Sequence, residues 1–283
     1  MTGTLLDVAD LRVDYPVKGW RRPPFQALKG VSIDIAPGET LGLVGESGSG
    51  KTTLGRAVLG LAPVTAGRID YDGTDIAALS KRERRALSSE IQVVFQDPYT
   101  SLNPAMTVGD ILAEPLLTFG TPRAEARDRI RELLDQVNLP ADSVDRLPRE
   151  FSGGQRQRVA IARALALRPR LVVCDEPVSA LDLSTQARVL DLFIDIQDKT
   201  GVAYLFVSHD LSVIRHISHR VAVMYRGEIV ETGDAAKVTS APDHPYTQRL
   251  LAAAPVPDPR RQGARRAAWR ALLDQQKAAV AAQ

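Results

Sequence analysis

The chain has 283 residues, 44% of them hydrophobic and 25% charged, which is enough to bury one large core or two smaller ones in a soluble α/β protein. Net charge is +2, but Arg260, Arg261, Arg265, Arg266, Arg270 and Lys277 outweigh Asp258 and Asp274 after Val256, so the remainder is slightly acidic and offers no nucleic-acid footprint. No apolar run is long enough to span a membrane, the start (Asp7, Asp10) lacks the pattern of a signal peptide, and the single cysteine, Cys174, excludes an internal disulfide, so a reducing cytoplasm is expected.

Leu5 to Tyr15 alternate loosely and read as a strand closed by Pro16. A basic, turn-rich loop from Lys18 to Pro24 follows. A second strand over Leu28 to Ile35 then turns at Pro37-Gly38 into the apolar strand Leu41 to Val44. Behind that strand, Gly45-Glu46-Ser47-Gly48-Ser49-Gly50-Lys51-Thr52 fits G-x-x-x-x-G-K-[ST], and helix formers continue from Thr53. Glycines at 45, 48 and 50 let the backbone curl so that successive N–H groups point inward at phosphate oxygens, reinforced by the positive end of the following helix. Lys51 is expected to reach the β- and γ-phosphates of a nucleotide, and Thr52 to ligate Mg²⁺. Tyr15 is suited either to stacking on an adenine ring or to ordinary packing at a strand end.

Arg68 to Tyr71 and Ile91 to Phe95 read as short strands, the second ending in Gln96-Asp97-Pro98. The pattern then turns helical. Thr121-Pro122 has the form of an N-cap followed by proline at the first helical position, and Ile130, Leu133, Leu134 and Val137 recur at helical spacing. Ser152-Gly153-Gly154-Gln155 has the spacing of a capping box and heads a helix running to Arg168-Pro169. Strands return at Leu171 to Cys174, Val202 to Val207 and Val221 to Tyr225, with a helix over Ser184 to Lys199, and this alternation implies a parallel sheet. Arg226-Gly227 turns into a last strand, Glu228 to Thr232, and Ala264 to Ala282 carries a loose helical pattern.

Asp175 and Glu176 fall at the C-terminal edge of a strand, where open α/β sheets bind ligands. Asp175 is placed to hold Mg²⁺ directly or through water, and Glu176 to polarise a water for in-line attack on the γ-phosphate. His209, in Ser208-His209-Asp210 after another strand, is suited to bonding the γ-phosphate or orienting that water, and Gln96 to touching Mg²⁺ or water. Each has an ordinary reading when taken singly: an acidic loop start, a lone strand-end histidine, a solvent-facing glutamine.

Together these residues resemble the ABC-type ATPases. Gly45 to Thr52 looks like the Walker A loop, Gln96 the Q-loop, Phe151-Ser152-Gly153-Gly154-Gln155 the signature, Leu171 to Glu176 the Walker B strand with its catalytic glutamate, Ser179 to Asp182 the D-loop, and His209 the switch histidine. Phe151 departs from the usual leucine but is apolar and leaves the glycine-bearing cap intact. Two further stretches, Gln96 to Pro104 and His244-Pro245-Tyr246-Thr247-Gln248-Arg249-Leu250-Leu251, narrow the resemblance to the ATP-binding subunits of oligopeptide, dipeptide and nickel importers.

The resemblance covers about residues 5 to 235. It implies an α/β fold with a P-loop NTPase (RecA-like) core over 1–95 and 165–235, an ABC-type β-subdomain, a helical subdomain over 96–164, and a C-terminal extension over 236–283. It further implies catalytic roles for Glu176, His209 and Gln96, and Mg²⁺ ligation by Thr52, Gln96 and Asp175. ATP would contact Tyr15, the cradle residues Gly45, Glu46, Ser47, Gly48, Ser49, Gly50, Lys51, Thr52 and Thr53, and the signature residues Ser152, Gly153, Gly154 and Gln155. The signature lies on the insert, away from its own cradle, so it needs the ATP of a second, identical or paralogous subunit. The expected setting is the cytoplasmic face of the cell membrane, against two transmembrane permease subunits, with an extracytoplasmic substrate-binding protein acting indirectly and no nucleic acid. Import of nickel or another small solute is the alternative, as is a soluble ABC ATPase of DNA repair or translation. Against the latter stand the missing coiled-coil insertion and the single copy of each motif.

Overall fold

The computed structural model describes residues 3–17, 19, 23–97 and 101–253. The tail helix expected over 264–282 and Pro98 to Thr100 lie outside these residues. The strands are β1 (Leu6–Tyr15), β2 (Phe25–Ile35), β3 (Thr40–Val44), β4 (Ala66–Tyr71), β5 (Thr74–Asp75), β6 (Ile91–Val94), β7 (Leu171–Asp175), β8 (Ala203–Ser208), β9 (Arg220–Tyr225) and β10 (Glu228–Asp234). The helices are α1 (Lys51–Val58), α2 (Lys81–Leu87), α3 (Val108–Thr118), α4 (Arg123–Gln136), α5 (Gly153–Leu165), α6 (Leu183–Thr200), α7 (Leu211–Ile217), α8 (Ala235–Ser240) and α9 (Pro245–Ala253).

Alternation of strands and helices produces the expected parallel sheet, in the order β10-β9-β3-β8-β7-β6, with only β10 antiparallel to its neighbour. A parallel sheet must be covered on both faces, and the pleat sorts its side chains accordingly. Leu171, Val173, Leu205 and Val207 join a core shared with α1 and with an antiparallel sheet of order β2-β1-β4-β5. Val172, Cys174, Tyr204 and Phe206 face the opposite core, shared with α3 to α7. There Phe193 meets Tyr204 and Phe206 edge-on, with centroids 5.4 and 5.5 Å apart, the arrangement aromatic quadrupoles favour. The sheet is thus the partition between two cores, and both press on strands whose C-terminal ends carry the candidate site.

Two local expectations need correction. β2 begins at Phe25, three residues before the strand read from the sequence. Pro122 is itself the N-cap of α4, at φ −58° and ψ 144° and without a side-chain cap bond, so Thr121 does not cap the helix. Proline lacks an N–H that neither position would use, so its presence alone does not fix which of the two it occupies. The capping box at Ser152 is present as read: Ser152 Oγ accepts the Gln155 N–H at 3.3 Å, and Gln155 Oε1 accepts the Ser152 N–H at 2.9 Å.

Candidate nucleotide site

The loop between β3 and α1 curls as its glycines require. Gly48 and Gly50 sit at φ 79° and 112°, and a Cβ on Gly50 would lie 2.8 Å from the Ala27 carbonyl oxygen, so only glycine fits there. Ser47, Gly48, Gly50, Lys51, Thr52 and Thr53 line one wall of a cavity that Tyr15, Phe25, Ala27, Gln96 and Glu176 complete. Gly45, Glu46 and Ser49 belong to the same loop without lining that cavity. Phe25, 59% exposed, sits opposite Tyr15 in the β1–β2 register, and a strand read only from Leu28 leaves it out of the site residues the sequence offers.

The charges in the loop are arranged for an anion. Lys51 is only 5% exposed, and its Nζ donates to the carbonyls of Gly45 (2.8 Å) and Glu46 (3.0 Å), with no ion pair to a carboxylate among the described residues. Burial lowers its pKa, against the opposing charges of Glu176, Asp175 and Glu46. A buried ammonium satisfied by two neutral carbonyls gains from a phosphate, so the residues fit a nucleotide.

Strand β7 ends in two carboxylates with different surroundings. Thr52 Oγ1 donates to Asp175 Oδ1 at 3.1 Å. Burial raises the Asp175 pKa, with the Thr52 bond opposing and the Glu176 charge adding to the rise. A carboxylate whose ionised form is disfavoured by burial, beside a threonine hydroxyl, suits a divalent cation, so this pair fits Mg²⁺. Glu176 turns at φ 48°, a left-handed conformation that costs a non-glycine residue about 1–2 kcal/mol, and its N–H is tied to the Val207 carbonyl at 3.0 Å. The turn brings its carboxylate to His209 and Gln96: Oε2 lies 3.0 Å from His209 Nδ1 and 3.5 Å from Gln96 Nε2.

Of the expected site residues, Tyr15, the cradle, Gln96, Asp175, Glu176 and His209 therefore form one cluster across the ends of β1, β3, β6, β7 and β8. Ser152 to Gln155 head α5 and do not line the cavity. Sequence reasoning also missed a contact from the far end of the chain: the Glu46 N–H donates to the Tyr246 hydroxyl at 3.0 Å.

The chain is similar to known proteins over most of its length. An ABC transporter family profile matches residues 28–179, and one for the oligopeptide/dipeptide transporter C-terminal region matches residues 230–278. A probable peptide ABC transporter ATP-binding protein of Sinorhizobium fredii is 50% identical over 266 residues, covering 92% of this chain and 75% of the relative. The oligopeptide transport ATP-binding protein OppF of Salmonella typhimurium is 47% identical over 263 residues, covering 90% of this chain and 79% of the relative. Among solved structures, cbiO1 of Clostridium perfringens, part of an ABC transporter complex, superposes with a TM-score of 0.75 at 28% identity, covering 84% of this chain and 91% of that one. A dimeric ATP-binding cassette bound to ADP and Pi gives 0.72 at 29% identity, covering 81% and 98%. No helix among the described residues is long and apolar enough to cross a membrane. The chain belongs to the ABC transporter family, as an ATP-hydrolysing subunit of its oligopeptide/dipeptide branch.

Proposed function

We propose that this chain powers the import of peptides across a membrane, docked on the cytoplasmic side of two permease subunits and paired with a second ATP-binding subunit, identical or paralogous. The peptide assignment rests on the relatives' names and on the matched C-terminal region. Recognition of the peptide belongs to other chains, an extracytoplasmic binding protein among them. The labour divides between a core over 1–95 and 165–235, a helical subdomain over 96–164, and an extension over 236–283.

The observation that carries hydrolysis is the convergence of Gln96 and His209 on Glu176, beside the Thr52–Asp175 pair. In the proposed reaction, the loop amides around Ser47 to Thr53 cradle the phosphates and Lys51 exchanges its two carbonyl partners for phosphate oxygens. Tyr15 offers its ring to the adenine. Thr52, Asp175 and Gln96 would hold Mg²⁺, which supplies charge neutralisation at the phosphate oxygens. Glu176 takes a proton from the attacking water as that oxygen bonds to the γ-phosphorus; the bond to the bridging oxygen breaks and ADP leaves with the electron pair. His209, hydrogen-bonded to Glu176, holds the carboxylate in place. Ser152, Gly153, Gly154 and Gln155 present a capped helix N-terminus that serves the partner's nucleotide rather than their own.

Glu176→Gln tests this reading. The amide keeps the shape and leaves the cradle intact, so ATP affinity should persist while turnover, measured with the partner subunits present, falls about 100-fold or more. Near-normal turnover would remove Glu176 from the reaction.

A further inference from the structure

The C-terminal motif His244 to Leu251 plays no part in the chemistry above, yet the structure drives it into the phosphate loop. Glu231 anchors its start by accepting the N–H groups of Asp243 (2.7 Å) and His244 (3.2 Å). Tyr246 follows on α9 and is 2% exposed. Its ring packs on Tyr225 at the end of β9, with centroids 4.2 Å apart, and its hydroxyl oxygen accepts the Glu46 N–H across 200 positions of sequence.

Glu46 is where the loop leaves β3, and every polar group of its backbone is engaged. Its carbonyl accepts Lys51 Nζ and the Ser49 N–H at 3.2 Å, and its N–H goes to Tyr246. On the other side, a Cβ on Gly45 would meet the Met224 carbonyl oxygen at 2.1 Å. The root of the cradle is thus clamped between β9 and α9. Burial raises the Tyr246 pKa, so the group remains a neutral hydroxyl at ordinary pH.

We propose that Tyr246 is a positioning residue for the nucleotide site: its hydroxyl fixes the first peptide of the cradle, so that the C-terminal helix and a bound nucleotide stabilise each other. The proposal rests on the reading that the cradle takes the phosphates of ATP. When Lys51 turns toward phosphate, the Gly45 and Glu46 carbonyls lose their ammonium, and the Tyr246 bond becomes the main side-chain tether on Glu46. Donors held in place before binding need no ordering when the ligand arrives. Coupling of this kind is reciprocal, so whatever Tyr246 contributes to nucleotide affinity, the nucleotide returns to α9.

The test uses the full chain with ATP and Mg²⁺. In the wild type, saturating nucleotide should slow hydrogen exchange of the α9 amides between Pro245 and Ala253. Tyr246→Phe keeps the ring on Tyr225 and removes only the hydroxyl. It should bind ATP about three- to tenfold more weakly in equilibrium titration, the share expected of one lost hydrogen bond, and should lose the nucleotide-dependent slowing. Exchange in wild-type α9 that ignores nucleotide would overturn the proposal without any variant. Unchanged ATP affinity in Tyr246→Phe would overturn it too, and the result would then show the hydroxyl to be structural. Lys51→Ala, measured alongside, separates the two readings: if it keeps full ATP affinity the cradle assignment fails, whereas if it loses binding while Tyr246→Phe does not, only the role of Tyr246 fails.

Discussion

Asp175 and Glu176 are neighbours in sequence that one dihedral puts to different uses. Asp175 ends β7 in line with the strand, half-buried against Thr52, while Glu176 swings into the left-handed region and faces His209. The pairing of two carboxylates after an apolar run is legible in the sequence, because it depends on local order alone. Their division of roles is read there too, whereas the left-handed turn that carries it out is not, since it depends on the Val207 carbonyl that ties the Glu176 amide. Cys174, one residue earlier, is fully buried, and burial followed by the Asp175 charge raises its pKa well above the ordinary 9.0. A thiol raised on folding contributes stability that is complete below the unfolded pKa and is lost as pH rises. The stability of the wild type relative to Cys174→Ala should therefore hold steady up to about pH 9 and then fall, at up to about 1.4 kcal/mol per pH unit for the one proton involved. Denaturant titrations of both chains across that range measure it. A difference that stays flat to pH 10.5, or rapid labelling of native Cys174 by a thiol reagent, would show the thiol to be accessible.

Elements were legible where a repeat or a cap was long enough to read. The sequence predicts α6 over Ser184 to Lys199 and the helix spans Leu183–Thr200, and α5 starts at the capping box that Ser152 and Gln155 announce. α2 was missed although Ser80 and Glu83 form a full capping box, because its seven residues, Lys-Arg-Glu-Arg-Arg-Ala-Leu, carry no apolar period. What no local pattern reports is how two elements approach. Gly154, in the first turn of α5, lies so close to α6 that an added Cβ would sit 2.3 Å from Thr185 Cγ2. Gly154→Ala should therefore cost about 1–3 kcal/mol by overpacking, read as a lower denaturant midpoint. Thr185→Ser deletes the clashing methyl and should restore most of the loss in the double variant; full additivity of the two single effects would contradict the contact.

At the scale of the molecule, the partition between two cores places the cradle and the signature on different layers. α1 lies between the two sheets, while α5 belongs to the helical core on the other face. The long-range contacts that complete the site, Tyr246 to Glu46 above all, join residues far apart in the chain, and no spacing rule reaches that distance. The separation of cradle from signature is expected from the helical insert read over 96–164, and it underlies the central claim that a working site needs two chains. Mixing tests it most directly. Lys51→Ala and Ser152→Arg are each expected to be inactive, and ATPase activity is measured after combining them at a concentration where the wild-type chain alone turns over. Each mixed dimer pairs an intact cradle with an intact signature once, so the mixture should recover about a quarter of the wild-type rate. A mixture no more active than its separate components would contradict the composite site.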